Sequence, residues 1–211
     1  MDISVEGKNV PQGLSRPQAA LKRGFDVLGA AGGLVLTSWI ILPAWLLATL
    51  DTRANGFFTQ ERVGRNGRIF RVVKLRTMRP DSKVDTTVTT GFDPRITRLG
   101  RFFRRAKIDE LPQLFNVLVG HMSFVGPRPD VPGYADALEG EDRVILAIRP
   151  GITGPATLAY RDEEVLLAQV DDPERYNNEV IFPDKVRLNR GYVENWSFRK
   201  DIGYIWRTVV G

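Results

Sequence analysis

From Val27 to Leu50 the chain carries no charged side chain, and only Thr37, Ser38, Pro43 and Thr49 interrupt its apolar and small residues. At a rise of 1.5 Å per residue, a helix over this stretch is roughly 35 Å long, enough to cross a hydrocarbon core. Such a run commits the chain to a lipid contact, and the other residues have to be arranged around it. A cleaved signal peptide is disfavoured, because the run is too long, begins too far in, and lacks a small-residue cleavage site before Asp51. Cations flank both ends, Lys22 and Arg23 before and Arg53, Arg62, Arg65 and Arg68 after, so flanking charge selects no single spanning orientation. A segment that enters and leaves on one face produces that pattern. Ser38 and Pro43 supply a place to interrupt the helix near its middle.

Around this segment the sequence alternates between short strands and helices. Residues 1–16 are polar, with scattered Gly and Pro, and predict a mobile tail. FFTQERVG and RIFRVVKLRTM read as two strands joined through Asn66-Gly67, a strong hairpin signal. Lys74 and Arg76, separated by one residue, then share a sheet face and can close on a diphosphate, or simply decorate the strand surface. Residues 79–94 predict a polar loop. Ile96, Leu99, Phe102, Phe103 and Ala106 fall on one side of a helix whose other side holds Arg95, Arg98, Arg101, Arg104 and Arg105. Beside an apolar segment, that basic amphipathic pattern predicts a membrane-surface helix.

The stretch from Lys107 to Pro129 concentrates the chemistry. Asp109 and Glu110 stand next to each other before an apolar run, Leu111, Leu114, Phe115 and Leu118, and Arg128 follows between two prolines. Asp109 is expected at the start of a helix with Pro112 in its first turn, where the positive end of the helix dipole keeps both acids ionised. Acid pair and rigid arginine together form a candidate phosphate site, although an Asp in that place also serves as a helix cap. Further on, Tyr134–Ile148 predicts a helix leading into the Gly-rich turn Arg149–Gly154, and Asp162–Val170 predicts another. A third begins after Asp172-Pro173. At the far end Ile202, Ile205, Trp206, Val209 and Val210 form an apolar stripe.

LKRGFD (Leu21–Asp26), KLRTM (Lys74–Met78), the Asp109-Glu110 segment with its Pro-Arg-Pro, and RPGITG (Arg149–Gly154) occur in order and with sensible spacing. Together they resemble the bacterial sugar transferase family, the small monotopic phosphoglycosyl transferases, over residues 17–155. The resemblance implies transfer of a phosphosugar from a UDP-sugar to a polyprenol phosphate on the cytoplasmic face of the bacterial inner membrane. It implies Asp109 as nucleophile, Glu110 beside it, and Mg²⁺ held by Asp109 and Glu110. It also implies Lys74, Arg76, Arg104, Arg128, Thr153 and Gly154 as substrate-binding residues, with a re-entrant helix broken at a Ser-Pro pair. Here Trp39 follows Ser38, which displaces the expected bend toward Pro43.

The expected fold class is α+β and mostly helical, with a re-entrant N-terminal membrane helix, a small β-hairpin and interfacial amphipathic helices. The expected parts are a tail over 1–16, a membrane-embedded helix over 17–51 and a catalytic domain over 52–211. A formal charge of +5 suits a polyanion, whether nucleic acid, anionic lipid or nucleotide. No nucleic acid partner is expected, since no binding module or interleaving of aromatic and basic residues is present. A membrane scaffold accounts for the apolar run but not for the ordered acids and cations. With no cysteine and a single histidine, His121, neither a disulfide framework nor a Cys- or His-rich metal site can be built.

Overall fold

The computed structural model describes residues 13–80 and 93–211. Residues 1–12 and 81–92, on which most of the expected tail and polar loop fall, lie outside the described residues. One long helix, α1 (Arg16–Thr52), opens the fold, with Pro17 and the Ser15–Gln18 capping box setting its start. It continues through Pro43 as a single helix, and Thr37 and Thr49 each bond the carbonyl four residues back. By length and composition α1 is able to cross a membrane.

Two stripes divide α1. Leu28, Val35, Trp39, Leu42, Leu46 and Leu50 are exposed, whereas Ala30, Ile41, Ala44 and Ala48 are buried against the rest of the chain. The buried stripe is small-sided, which lets the body approach closely; a Cβ on Gly29 would stand 2.7 Å from the Phe124 ring. Both ends of α1 pack on the same folded body. Near its start, Lys22 Nζ binds Asp201 Oδ2 at 2.6 Å, and Arg23 donates to the carbonyls of Val117 and Leu118 at 2.6 and 2.8 Å. Asp26 Oδ1 accepts from the Ser123 hydroxyl and the Phe124 N–H, both at 3.0 Å. Near its end, Ala44 and Ala48 pack with Leu75 and Phe103, and Trp45 stacks on Phe57 at 6.0 Å. Lys22 and Arg23, which in sequence are only cations flanking the apolar run, serve the protein interior; Lys22 is only 6% exposed.

Strands β1 (Phe57–Val63) and β2 (Ile69–Leu75) pair antiparallel, with Phe57 opposite Leu75 and Val63 opposite Ile69. Asn66 and Gly67 turn the chain with φ of 59° and 76°, left-handed values that Gly and Asn tolerate best. Helix α2 (Arg98–Arg105) begins at Thr97, whose side chain accepts from the Gly100 N–H. This start is later than expected, because Ile96 pairs with Met78 in an isolated bridge instead. Of its two phenylalanines, Phe103 is buried and Phe102 faces outward.

Lys107, at φ 56°, reverses the chain after α2, and Asp109 and Glu110 then lie in a short 3₁₀ turn, Ile108–Glu110. Helix α3 (Gln113–Val119) begins only after Pro112, so the acids do not open it as the sequence suggested. Strands β3 (Ser123–Val125) and β4 (Gly151–Thr153) form a parallel pair. Between them, the helix expected over Tyr134–Ile148 is two 3₁₀ stretches, Ala135–Ala137 and Gly140–Ala147, separated where Gly140 adopts φ 59°.

The C-terminal part contains α4 (Pro155–Ala159), α5 (Glu163–Leu167), α6 (Pro173–Tyr176), α7 (Phe182–Glu194) and α8 (Phe198–Val210). A π-helical turn, Asn177–Ile181, joins α6 to α7. The main core gathers Val125, Ile145, Ile148, Val186 and Tyr192. Asp201, 1% exposed, receives Lys22, the Tyr192 hydroxyl at 2.5 Å and the Trp196 indole N–H at 3.1 Å. Burial and the neighbouring Asp201 push the Tyr192 hydroxyl far up, so it remains a donor. The apolar stripe of α8 stays largely uncovered, with Ile202, Trp206, Val209 and Val210 exposed.

Candidate active site

Two separate elements bring positive charge to Glu110. Lys74 reaches it from β2, with Nζ 3.0 Å from Oε1, and Arg128 reaches the same oxygen from Nη2 at 3.0 Å. The position of Lys74 is fixed by Asn116 on α3, which accepts from the Val73 N–H at 2.9 Å and donates to the Arg71 carbonyl at 2.8 Å. One side-chain amide thus satisfies a donor and an acceptor on the open edge of β2 and ties α3 to it.

Arg128 projects from a rigid arm. Its flanking prolines restrict the backbone, and the arm is seated on the Gly-rich turn: the Gly126 N–H donates to the Thr153 carbonyl at 2.9 Å, and the Gly151 N–H to the Pro127 carbonyl at 2.8 Å. A Cβ on Gly154 would come within 2.4 Å of the Gly126 oxygen, so only glycine allows this approach. The structure accordingly places Thr153 and Gly154 behind the arm, with the Thr153 hydroxyl 2.5 Å from that of Thr208. Arg76 is directed to the carbonyls of Asn55 and Phe57, at 2.7 and 3.5 Å, and does not join Glu110. Arg104 bonds the Thr77 hydroxyl at 3.1 Å and lies close enough to Asp109 to act on its charge.

The two acids differ electrostatically. Burial works against ionisation of Glu110, but Arg128 and Lys74 outweigh it and hold its carboxyl well below the usual range. Asp109, 8% exposed, is pushed up to about 6 by burial and by the negative Glu110, against Lys74, Arg104 and Lys107. The dipole argument does not apply to Asp109, which lies in the 3₁₀ turn before α3, and burial with the neighbouring Glu110 leaves it the weaker acid of the two. Its Oδ1 is buried and makes no hydrogen bond. An orphaned carboxylate oxygen beside a fully ionised partner is an arrangement for meeting an electrophile or a cation.

Among the described residues no group of three or more His, Cys, Asp or Glu forms a ready metal cage. Mg²⁺ does not need one, since it is commonly held by one or two carboxylates together with substrate phosphates and waters. The unpartnered Oδ1 of Asp109 fits that requirement.

A sequence profile of the bacterial sugar transferase family matches residues 17–211. The chain belongs to that family. Among its relatives, a UDP-galactose-lipid carrier transferase of Erwinia amylovora is 34% identical over 208 residues, covering 90% of this chain and 39% of the relative. A UDP-N-acetylgalactosamine-undecaprenyl-phosphate N-acetylgalactosaminephosphotransferase of Aeromonas hydrophila is 33% identical, covering 90% and 43%. The exopolysaccharide production protein PSS of Rhizobium leguminosarum is 37% identical over 200 residues, covering 90% and 94%. The chain therefore spans about two fifths of the length of some relatives and nearly the whole of others.

Family membership extends to the C-terminal third, where no motif signalled it. Sequence reasoning also missed residues near Arg128. Asp130 continues the Pro-Arg-Pro arm, while Glu163 and Lys185 arrive from α5 and α7. The only available signals were the extra acid directly after Pro129 and, for Asn116, an amide inside an otherwise apolar stretch, Leu114–Val119.

Proposed function

We propose that this protein transfers a phosphosugar from a UDP-sugar to a polyprenol phosphate, releasing UMP. The observation that carries the reading is the buried, unpartnered Asp109 carboxylate beside a Glu110 neutralised by Lys74 and Arg128. An Asp109 oxygen attacks the sugar-bearing phosphorus, the bond to the UMP phosphate breaks, and UMP leaves with that electron pair. An oxygen of the polyprenol phosphate then attacks the same phosphorus, displacing Asp109 and restoring its carboxylate. Lys74 and Arg128 offset the repulsion between carboxylate and diphosphate, and the stiff arm lowers the entropy lost in fixing the guanidinium. Mg²⁺, held by Asp109 and Glu110 with the substrate phosphates, would supply further charge neutralisation. Intact-mass measurement tests the reading directly: wild-type protein given donor without acceptor should gain one phosphosugar and release UMP. Release of UMP only when acceptor is present, with no adduct, points to direct transfer instead.

Arg128→Lys should lower kcat/KM by roughly tenfold or more, because a planar fork becomes a point charge at a site that Lys74 already supplies with one. Steady-state kinetics at saturating Mg²⁺ check this, and unchanged values would make Arg128 a surface charge.

The same reading places both ends of α1 on the cytoplasmic side, the helix being embedded in the bilayer without crossing it. Support comes from its two ends meeting one folded body, through Lys22 and Asp201 at one and Ala48 and Phe103 at the other. A polyprenol phosphate keeps its tail in lipid and its head at the interface, so an anchor lying against the catalytic body brings the acids to the headgroups. The chain has no cysteine, so single Arg16→Cys and Arg68→Cys variants report topology cleanly. Neither should react with a membrane-impermeant thiol reagent in intact cells, and both should react after lysis. Labelling of Arg16→Cys alone from outside would mean that α1 crosses.

A further inference from the structure

Around Arg128 a second set of charged groups continues the site, with Glu163 and Asp130 near enough to interact with its charge. Asp130 lies two residues along the arm, and its charge is felt by Lys185, Arg62, Arg128 and Glu163. Lys185 Nζ binds both oxygens of Glu163, at 2.7 and 2.6 Å, and sits 5.7 Å from the centre of the Tyr160 ring. The Tyr160 hydroxyl in turn donates to Asp184 Oδ2 at 2.9 Å. The Lys185 and Glu163 side chains remain 15% and 25% exposed, so a ligand can reach them. Glu163 also lines an open groove of about 650 Å³ together with Trp206 of α8. That volume is in the range of small-molecule sites.

The chemistry proposed for Asp109 makes no use of these groups. Their signs are informative: the guanidinium of Arg128 is followed along the arm by the carboxylate of Asp130, and the carboxylate of Glu163, which acts on both, is bound by the ammonium of Lys185. Two carboxylates repel a phosphate, so the diphosphate should end at Arg128. Neutral hydroxyls suit what lies beyond, because each can donate to a carboxylate and accept from an ammonium. Building on the transferase reading, we propose that Glu163, Lys185 and Asp130 form the subsite that holds a vicinal hydroxyl pair of the donor, next to the phosphate gripped by Arg128. Two parts of a nucleotide sugar carry such a pair, the transferred sugar and the ribose. The C-terminal helices α5 and α7 thereby acquire a direct part in donor recognition.

Calorimetric titration of the full chain in lipid nanodiscs, with a UDP-sugar and with UMP, tests the subsite without relying on turnover. Glu163→Gln and Lys185→Met should each weaken UDP-sugar binding by roughly ten- to hundredfold, the usual loss when a charged partner of a hydroxyl is removed. Unchanged UMP binding assigns the hydroxyls to the sugar. A parallel loss for UMP assigns them to the ribose. In the sugar case the variants should also shift the preference between UDP-glucose and UDP-galactose, a change that a merely structural salt bridge has no means of producing. Variants that bind both ligands as wild type does overturn the subsite, and so does a wild-type protein that binds neither. The transferase reading fails separately, if wild-type protein binds donor yet yields neither adduct nor product.

Discussion

Asp109→Asn should abolish phosphosugar transfer, by at least about a thousandfold, and should at the same time make the protein more stable. The amide nearly matches the carboxylate in size but cannot form the acyl phosphate, so the mass adduct should vanish with the activity. The gain in stability follows from the environment of Asp109. Burial and Glu110 raise its pKa from 3.8 in an unfolded chain to about 6 in the fold. The folded state therefore binds the proton more tightly than the unfolded state, and stability falls as pH rises between those values. The penalty is fully present above about 6 and absent below the unfolded value. At pH 7 removal of the charge should return on the order of 1–3 kcal/mol, with little change near pH 4. Chemical denaturation of wild type and variant at both pH values reads this, in the absence of divalent cations. The same shift predicts that wild-type kcat/KM falls as pH drops through about 6, because the nucleophile is then protonated. An Asn variant less stable than wild type at pH 7 would contradict the burial argument.

Asp201→Asn should be the most destabilising single exchange outside the site, at about 3–5 kcal/mol. It leaves the Lys22 ammonium buried without its partner at 2.6 Å and weakens what Tyr192 and Trp196 donate to. Adding Lys22→Met should recover a large part of the loss, since the stranded charge is then gone. Thermal unfolding in nanodiscs measures both, and an Asp201→Asn midpoint equal to that of wild type would reduce the ion pair to a bystander.

Much of the local structure was readable from residue pattern. The Asn66-Gly67 hairpin and the apolar helix follow from turn chemistry and hydrophobic patterning, whereas the ion pair of Glu110 with Arg128 emerges only in the fold. The acids themselves were legible as a pair, but their separation in acidity was not, because it depends on burial that no window of sequence reports. Arg76 was misleading for a related reason. The strand alternation that groups it with Lys74 ends at Leu75, and the next residue turns to the backbone of Asn55. Gly140 broke a helix that apolar spacing alone had continued. The roles of Lys22, Arg23 and Asp26 were hidden too: beside an apolar run they read as a membrane flank, and only the fold brings Asp201, Val117 and Ser123 to them.

The pairing of Lys22 with Asp201 also imposes a schedule on synthesis. The two residues are 179 positions apart, so at 5–20 residues per second the ribosome needs roughly ten to forty seconds to supply the second after the first. During that interval α1 is already apolar enough to enter the bilayer, with a lysine near its start that has no permanent partner. The anchor must therefore wait at the membrane in an unfinished state, until α8, made long after it, arrives to lock it.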